Sequence, residues 1–283
     1  MKNILLFSII FVISIPAVAS PIDSLHSANP NGIQPEKLAM VVGGTMAIVT
    51  AAHIQNYNSL WKGERSGFHF GDGGVRTLGA DKFGHFYFTY LSSDILWHSF
   101  RWAGVEKQHS LFLGAGLSLA FQLYVEVEDG FTKVLGFSAG DALADVAGAF
   151  YPLLQSHVSW FENVRFKWSC YPSSSYRAGK FRTIIDDYES MYFWLSFNNK
   201  IFPEVMRSYI PTFLGIAIGY GVTGLNKPND GRRELFISLD YDCTRLPGEG
   251  SFLETVKYVL NYIHFPAPTI RLTPSVVTYG LHF

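Results

Sequence analysis

Between Asp81 and Phe150 the chain sets acidic and histidine side chains in three clusters inside otherwise apolar segments, DKFGHFYFTY, EVED and GFSAGDALADVAGAF. Asp81 and His85 are four residues apart, Glu126 and Asp129 three, Asp141 and Asp145 four, so each pair shares one face of a helix. A charge buried without a partner costs several kcal/mol. The three polar faces therefore point to one shared site inside a helix bundle.

The N-terminus, MKNILLFSIIFVISIPAVAS, has Lys2 as a short basic region, an apolar run from Ile4 to Ile15, and Ala17-Val18-Ala19 as a small-residue cleavage site. It reads as a secretory signal peptide over 1–19, cut after Ala19, followed by a linker over 20–35. With no cysteine nearby, a lipid-anchored N-terminus is not expected. Charged residues make up only 16% of the chain and mean hydropathy is +0.14, which points to a membrane-facing surface and a membrane or lipid partner. A net charge of -1 gives no sign of a nucleic-acid partner. Cys170 and Cys243 either pair, as an oxidising compartment would allow, or stay as two separate buried thiols.

Four apolar helices are expected over 36–157. The first opens at Pro35-Glu36-Lys37, the second runs from Asp81 to about Trp102, the third from about Glu106 to Glu128, and the fourth from Ser138 to about Leu154. In the third, Gly114, Gly116 and Ser118 permit close helix approach. The stretch between Trp61 and Ala80 reads as a loop that covers a site. The helices' charge-free cores are short for a span, which favours a buried or partly embedded arrangement over four regular spans.

Over 158–283 the period changes to two. Val164, Phe166, Trp168 and Cys170 alternate with Arg165, Lys167 and Ser169; Leu235, Ile237, Leu239 and Tyr241 alternate with Glu234, Ser238, Asp240 and Asp242, with Phe236 as the exception. In FLGIAIGYGV, large apolar residues alternate with Gly215, Ala217, Gly219 and Gly221, which suits a barrel wall or a sheet packed closely on helices. Ser251 and Glu254 read as a capping box opening an amphipathic helix to His264, with Leu253, Val256, Leu260 and Ile263 as its core stripe. Val277, Tyr279, Leu281 and Phe283 share a face and resemble the C-terminal signal of outer-membrane barrels, although five or six strands are fewer than such barrels use. The expected class is α+β: a four-helix bundle followed by a β-rich half, either antiparallel sheet or partial barrel.

Ser138 with Asp141 forms a capping pattern at the fourth helix, and Asp81 fits an N-cap. Asp145, one turn inside ALADVAGAF, needs a cation or a donor. Carboxylates and imidazole at this spacing suit a divalent metal held by Asp81, His85, Glu126, Asp129, Asp141 and Asp145. They also suit acid-base catalysis by His85 paired with Asp81 or Asp145, with Lys82 stabilising an anion. H-E-x-x-H and Walker patterns are missing, which removes the commonest zinc-peptidase and nucleotide classes.

D-K-x-x-H-F from Asp81, E-x-x-D from Glu126 and G-F-S-x-x-D-x-x-x-D-V-A-G-A from Gly136 together resemble the YfiM-like family of predicted periplasmic lipoproteins, over roughly Leu38 to Leu154. More remotely they resemble the VanZ-like membrane proteins, although Asp145 stands where that pattern usually has Asn. The resemblance implies an envelope location, periplasm or outer membrane, and names Asp81, Lys82, His85, Glu126, Asp129, Ser138, Asp141 and Asp145 as the site. It supplies no reaction. Two functions follow as expectations: a structural or lipid-binding envelope protein with a buried polar network, or a membrane-associated hydrolase of a lipid or cell-wall precursor.

Overall fold

A computed structural model describes residues 32–63, 65–71, 76–181, 183–226 and 230–283. The signal peptide and most of the linker expected above lie outside the described residues. Four long helices come first: α1 (Pro35–Asn56), which continues as a π-helical turn over Tyr57–Trp61, α2 (Ala80–Trp102), α3 (Lys107–Gly130) and α4 (Ala139–His157). Six strands follow: β1 (Val164–Cys170), β2 (Met191–Phe197), β3 (Leu214–Thr223), β4 (Arg232–Tyr241), β5 (Ala267–Thr273) and β6 (Val277–His282). Two single-turn helices, α5 (Ser174–Arg177) and α6 (Glu204–Arg207), and the longer α7 (Ser251–Leu260) lie among them. The class is mixed helix and sheet, and the sheet is open and antiparallel in the order β1-β2-β3-β4-β5-β6.

The chain divides into two compact units, the described residues of Met1–Val75 with Phe88–Leu153, and those of Arg76–Tyr87 with Leu154–Phe283. The division runs through α2, which is unbroken.

In the helical unit, α2, α3 and α4 approach closely. A Cβ on Gly114 would stand 2.6 Å from the Ser93 carbonyl oxygen, so α3 meets the α2 backbone there. Gly116, by contrast, faces open space. Ser118 Oγ donates to the Thr89 carbonyl at 2.8 Å, and Ser93 Oγ to the Ala149 carbonyl at 2.8 Å. These small side chains anchor the helices by reaching across to backbone oxygens. Pro35–Trp61 and Lys107–Gly130 are long and apolar enough to cross a membrane. In α1 only Val41 is buried, and Met40, Val42, Met46, Val49 and Ile54 are exposed.

The sheet has an unexpected polarity. One face carries Lys167, Ser169, Trp194, Ser196, Ala217, Glu234, Phe236, Ser238 and Asp240, and all of them are buried. On the other, Phe83 of α2 stacks on Tyr220 at 4.5 Å and Phe86 packs on Phe166 at 4.2 Å, while Ile218, Leu235, Ile237, Leu239, Ile270 and Leu272 stay exposed. The small residues of β3 thus lie inside and make room for the rings of Tyr192 and Trp194. A Cβ on Gly219 would collide with the fully buried Trp194 ring. Gly219→Ala is expected to lower stability by about 1–3 kcal/mol, measured by urea unfolding; an unchanged midpoint would refute this packing.

The sheet curls, because rings near its two edges meet: Trp194 of β2 and His282 of β6 lie 6.5 Å apart, and Tyr171, just after β1, lies 5.5 Å from Phe283, just after β6. The outer edge of β1 is paired by backbone bonds from Trp168 N to Tyr262 O and from His264 N to Trp168 O, each 3.0 Å. Sheet order remains open, so the partial-barrel alternative gives way to an open sheet.

Three local expectations are corrected. The row Val277, Tyr279, Leu281, Phe283 is broken by an irregular register opposite Ala267 to Thr269, which turns Leu281 and Phe283 outward and brings His282 in beside Tyr279. The capping box at Ser251 does not form, because Gly250 is the N-cap and Glu254 accepts from Lys257 Nζ at 2.8 Å. The buried side of α7 is Thr255, Lys257 and Tyr258, and Leu253 of the expected stripe is exposed. Of the two alternatives for the cysteines, Cys170 and Cys243 stay as separate free thiols, with Cys243 buried and Cys170 half-buried.

Candidate functional site

Asp145 is wholly buried inside α4, and Glu126 is 2% exposed near the end of α3. With half-buried His85 of α2 they offer three ligand atoms, an imidazole nitrogen and two carboxylate oxygens, all within 4.8 Å of one another. Local structure holds both carboxylates in place. Thr89, one turn beyond His85 on α2, donates its hydroxyl to Asp145 Oδ1 at 2.7 Å and accepts from Gln122 Nε2 at 3.2 Å. Glu126 Oε2 accepts the backbone N–H of Ser138 at 2.9 Å, just before α4 begins. Ser138 Oγ accepts the N–H of Asp141 at 3.2 Å, a side-chain cap of α4. Glu126 therefore ties the end of α3 to the entry of α4, and that tie sets how far Asp145 lies from it.

The remaining site residues stand outside this group. Asp81, in the first turn of α2, accepts from Thr77 Oγ1 at 2.7 Å and from the Lys82 N–H at 2.9 Å, and its other oxygen is 3.5 Å from Lys82 Nζ. Asp129 Oδ1 accepts from Trp61 Nε1 at 2.6 Å, which fixes the buried indole that closes the π-helical turn after α1. Asp141 sits in the first turn of α4, where a carboxylate favours the helix dipole. Neighbouring Glu128 pairs with exposed Arg65 at 2.8 Å. Thr89 and Gln122 were not among the residues expected from the sequence; the signal for Thr89 was its position four after His85 in an apolar helix.

A second polar cluster lies on the buried face of the sheet. Lys167 Nζ donates to Asp240 Oδ2 at 2.7 Å, to the Tyr241 carbonyl at 2.7 Å and to Asn261 Oδ1 at 3.0 Å. Ser196 also donates to Asp240 Oδ2. His264 stacks on Trp194 with ring centroids 3.8 Å apart, and its Nε2 lies 3.2 Å from the Leu239 carbonyl. Burial pushes the His264 imidazole down to about 4, against the opposing pull of Asp240, and burial does the same to His282. Glu234 and Arg271 pair at 2.7 Å on the same face. Burial raises both thiols, so Cys170 and Cys243 stay protonated and poorly nucleophilic.

Residues 66–156 match the model of a family described as predicted periplasmic lipoprotein (DUF2279), which covers all three donors and supports export to the periplasm. No curated protein and no solved structure matches the chain.

Proposed function

We propose that this chain is an exported, membrane-associated envelope protein whose helices hold one divalent cation between His85, Glu126 and Asp145. The convergence of one imidazole and two buried carboxylates within 4.8 Å carries the reading. Two carboxylates balance the charge of a divalent ion, and imidazole with carboxylate suits zinc, manganese or iron. Thr89 and Ser138 would act as positioning residues, each holding one carboxylate as outer partners of metal ligands do. The exposed apolar surface of α1 supports the membrane association.

The donor number favours a second, finer reading. Structural zinc sites use four protein ligands, whereas three leave a position for water, whose pKa the ion lowers. Hydrolysis of a lipid or cell-wall precursor is the reaction class that fits such a centre in this location.

The test is elemental analysis of the mature protein purified without chelator, beside a His85→Ala/Asp145→Ala double variant checked for folding by circular dichroism. Stoichiometric divalent metal in the native protein and none in the folded variant is the expected result. Metal-free native protein, or equal metal in both, would overturn it and leave a buried network that fixes helix register.

A further inference from the structure

The strands β3 to β5 carry an exposed surface made of Ile218, Leu235, Ile237, Leu239, Ile270 and Leu272. Cross-strand register sets Ile218, Ile237 and Ile270 in one row. Six aliphatic side chains side by side expose several hundred Å² of apolar surface, an area that soluble monomers seldom leave open without a use. The reverse of the same strands holds Lys167 against Asp240 and Glu234 against Arg271, all with little or no exposure. Aliphatic outside and ion-paired inside is the polarity of a strand that faces lipid.

From these observations we infer that the outer face of β3 to β5 docks onto one leaflet of a phospholipid membrane, with the strands lying along its surface. Composition argues for lipid over protein. Cores of protein interfaces are enriched in aromatic residues, Met and Arg, and this patch contains only Ile and Leu. Height argues for lying on the membrane over crossing it. From Leu235 to Leu239 the aliphatic row of β4 rises about 13 Å, against the roughly 25 Å of a spanning barrel wall. Charge supplies the rim. Arg232 and Arg233, both exposed, stand at the start of β4, with Arg233 on the same face as Leu235. Arg232 lies 3.5 Å from Asp230, and Arg233 Nε donates to the Leu78 carbonyl at 3.2 Å. Guanidinium groups suit lipid phosphates, which they bind in a bidentate fork.

An environment-sensitive maleimide dye would be placed at Ile237→Cys, Ile270→Cys and, as an exposed control, Glu249→Cys, in full chains whose native cysteines are replaced by serine. Vesicles of phosphatidylethanolamine and phosphatidylglycerol are then added. Brighter, blue-shifted emission at 237 and 270 with none at 249 is expected, weakened when phosphatidylglycerol is left out. Emission unchanged by vesicles would overturn the inference. So would a blue shift that grows with protein concentration in the absence of lipid, because a second copy would then be the covering surface. The two sheet positions report separately, so a folding failure in one variant leaves the test standing.

Discussion

Asp240→Ala is expected to lower the unfolding free energy of the sheet-bearing unit by roughly 3–5 kcal/mol. Lys167 is 1% exposed and Asp240 2%. The ammonium's three donors go to Asp240, the Tyr241 carbonyl and Asn261. Two of these acceptors are neutral, so the carboxylate alone balances the charge, and its removal leaves a buried cation. Ser196 would also lose its acceptor. The double variant Lys167→Met/Asp240→Leu should recover most of the loss, because an apolar pair of similar size replaces a buried ion pair at little cost. Asp230→Ala, which removes the partner of exposed Arg232, should change stability by at most about 1 kcal/mol. Urea unfolding followed by tryptophan fluorescence measures all three. A loss under about 1 kcal/mol for Asp240→Ala would show that the pair is not what holds Lys167 in place.

Much of the architecture was legible because period reports packing. The switch from helical spacing before residue 157 to alternation after it located the four long helices and the strands β1, β3, β4 and β6, with ends within a few residues of those observed, whereas β2 and β5 were not singled out. His85, Glu126 and Asp145 could be named from the sequence because charges inside apolar helices need partners. Their selection from a wider set could not be read. Asp129 and Asp141 have the same helical spacing, and only the fold shows Asp129 taken up by Trp61 and Asp141 at the start of α4. In the sheet, alternation separates two faces but does not say which is buried. Polar residues alternating with Leu and Ile normally mark the solvent side, and here Asp240, Ser238 and Glu234 point inward. Phe236 was the clue: a large aromatic in the polar row of β4, it stands in the core beside Trp194. Lys167 gave no comparable signal, since its partners Asp240 and Asn261 lie far away in sequence. The C-terminal row failed for a local reason, the register irregularity between β5 and β6, which period-two counting does not detect.

Stability of the sheet-bearing unit is expected to fall steeply as pH drops from about 6.5 to about 4, the interval between the ordinary His264 value and the value burial imposes on it. In the neutral ring, the N–H on Nε2 points to the Leu239 carbonyl, while buried Nδ1 has no hydrogen-bond partner. A proton on Nδ1 would charge a ring that burial has taken out of water, in a site already holding the Lys167 ammonium, and both oppose it. Asp240 Oδ1, 3.9 Å from Nε2, favours the charged ring, but burial outweighs that pull, and Oδ2 is taken up by Lys167 and Ser196. The folded ring therefore stays neutral down to about pH 4, whereas the unfolded chain takes up the proton near 6.5. Because the unfolded state binds more protons in that window, stability is complete above it, declines through it and levels off below it. Full titration of His264 corresponds to roughly 3 kcal/mol, and His282, lowered in the same direction, adds to the slope. His264→Phe keeps a ring against Trp194 and removes the titration, so its stability should change far less across the same interval. Urea midpoints at several pH values between 4 and 8 decide the matter, and equal slopes for the native chain and His264→Phe would assign the acid sensitivity to other groups.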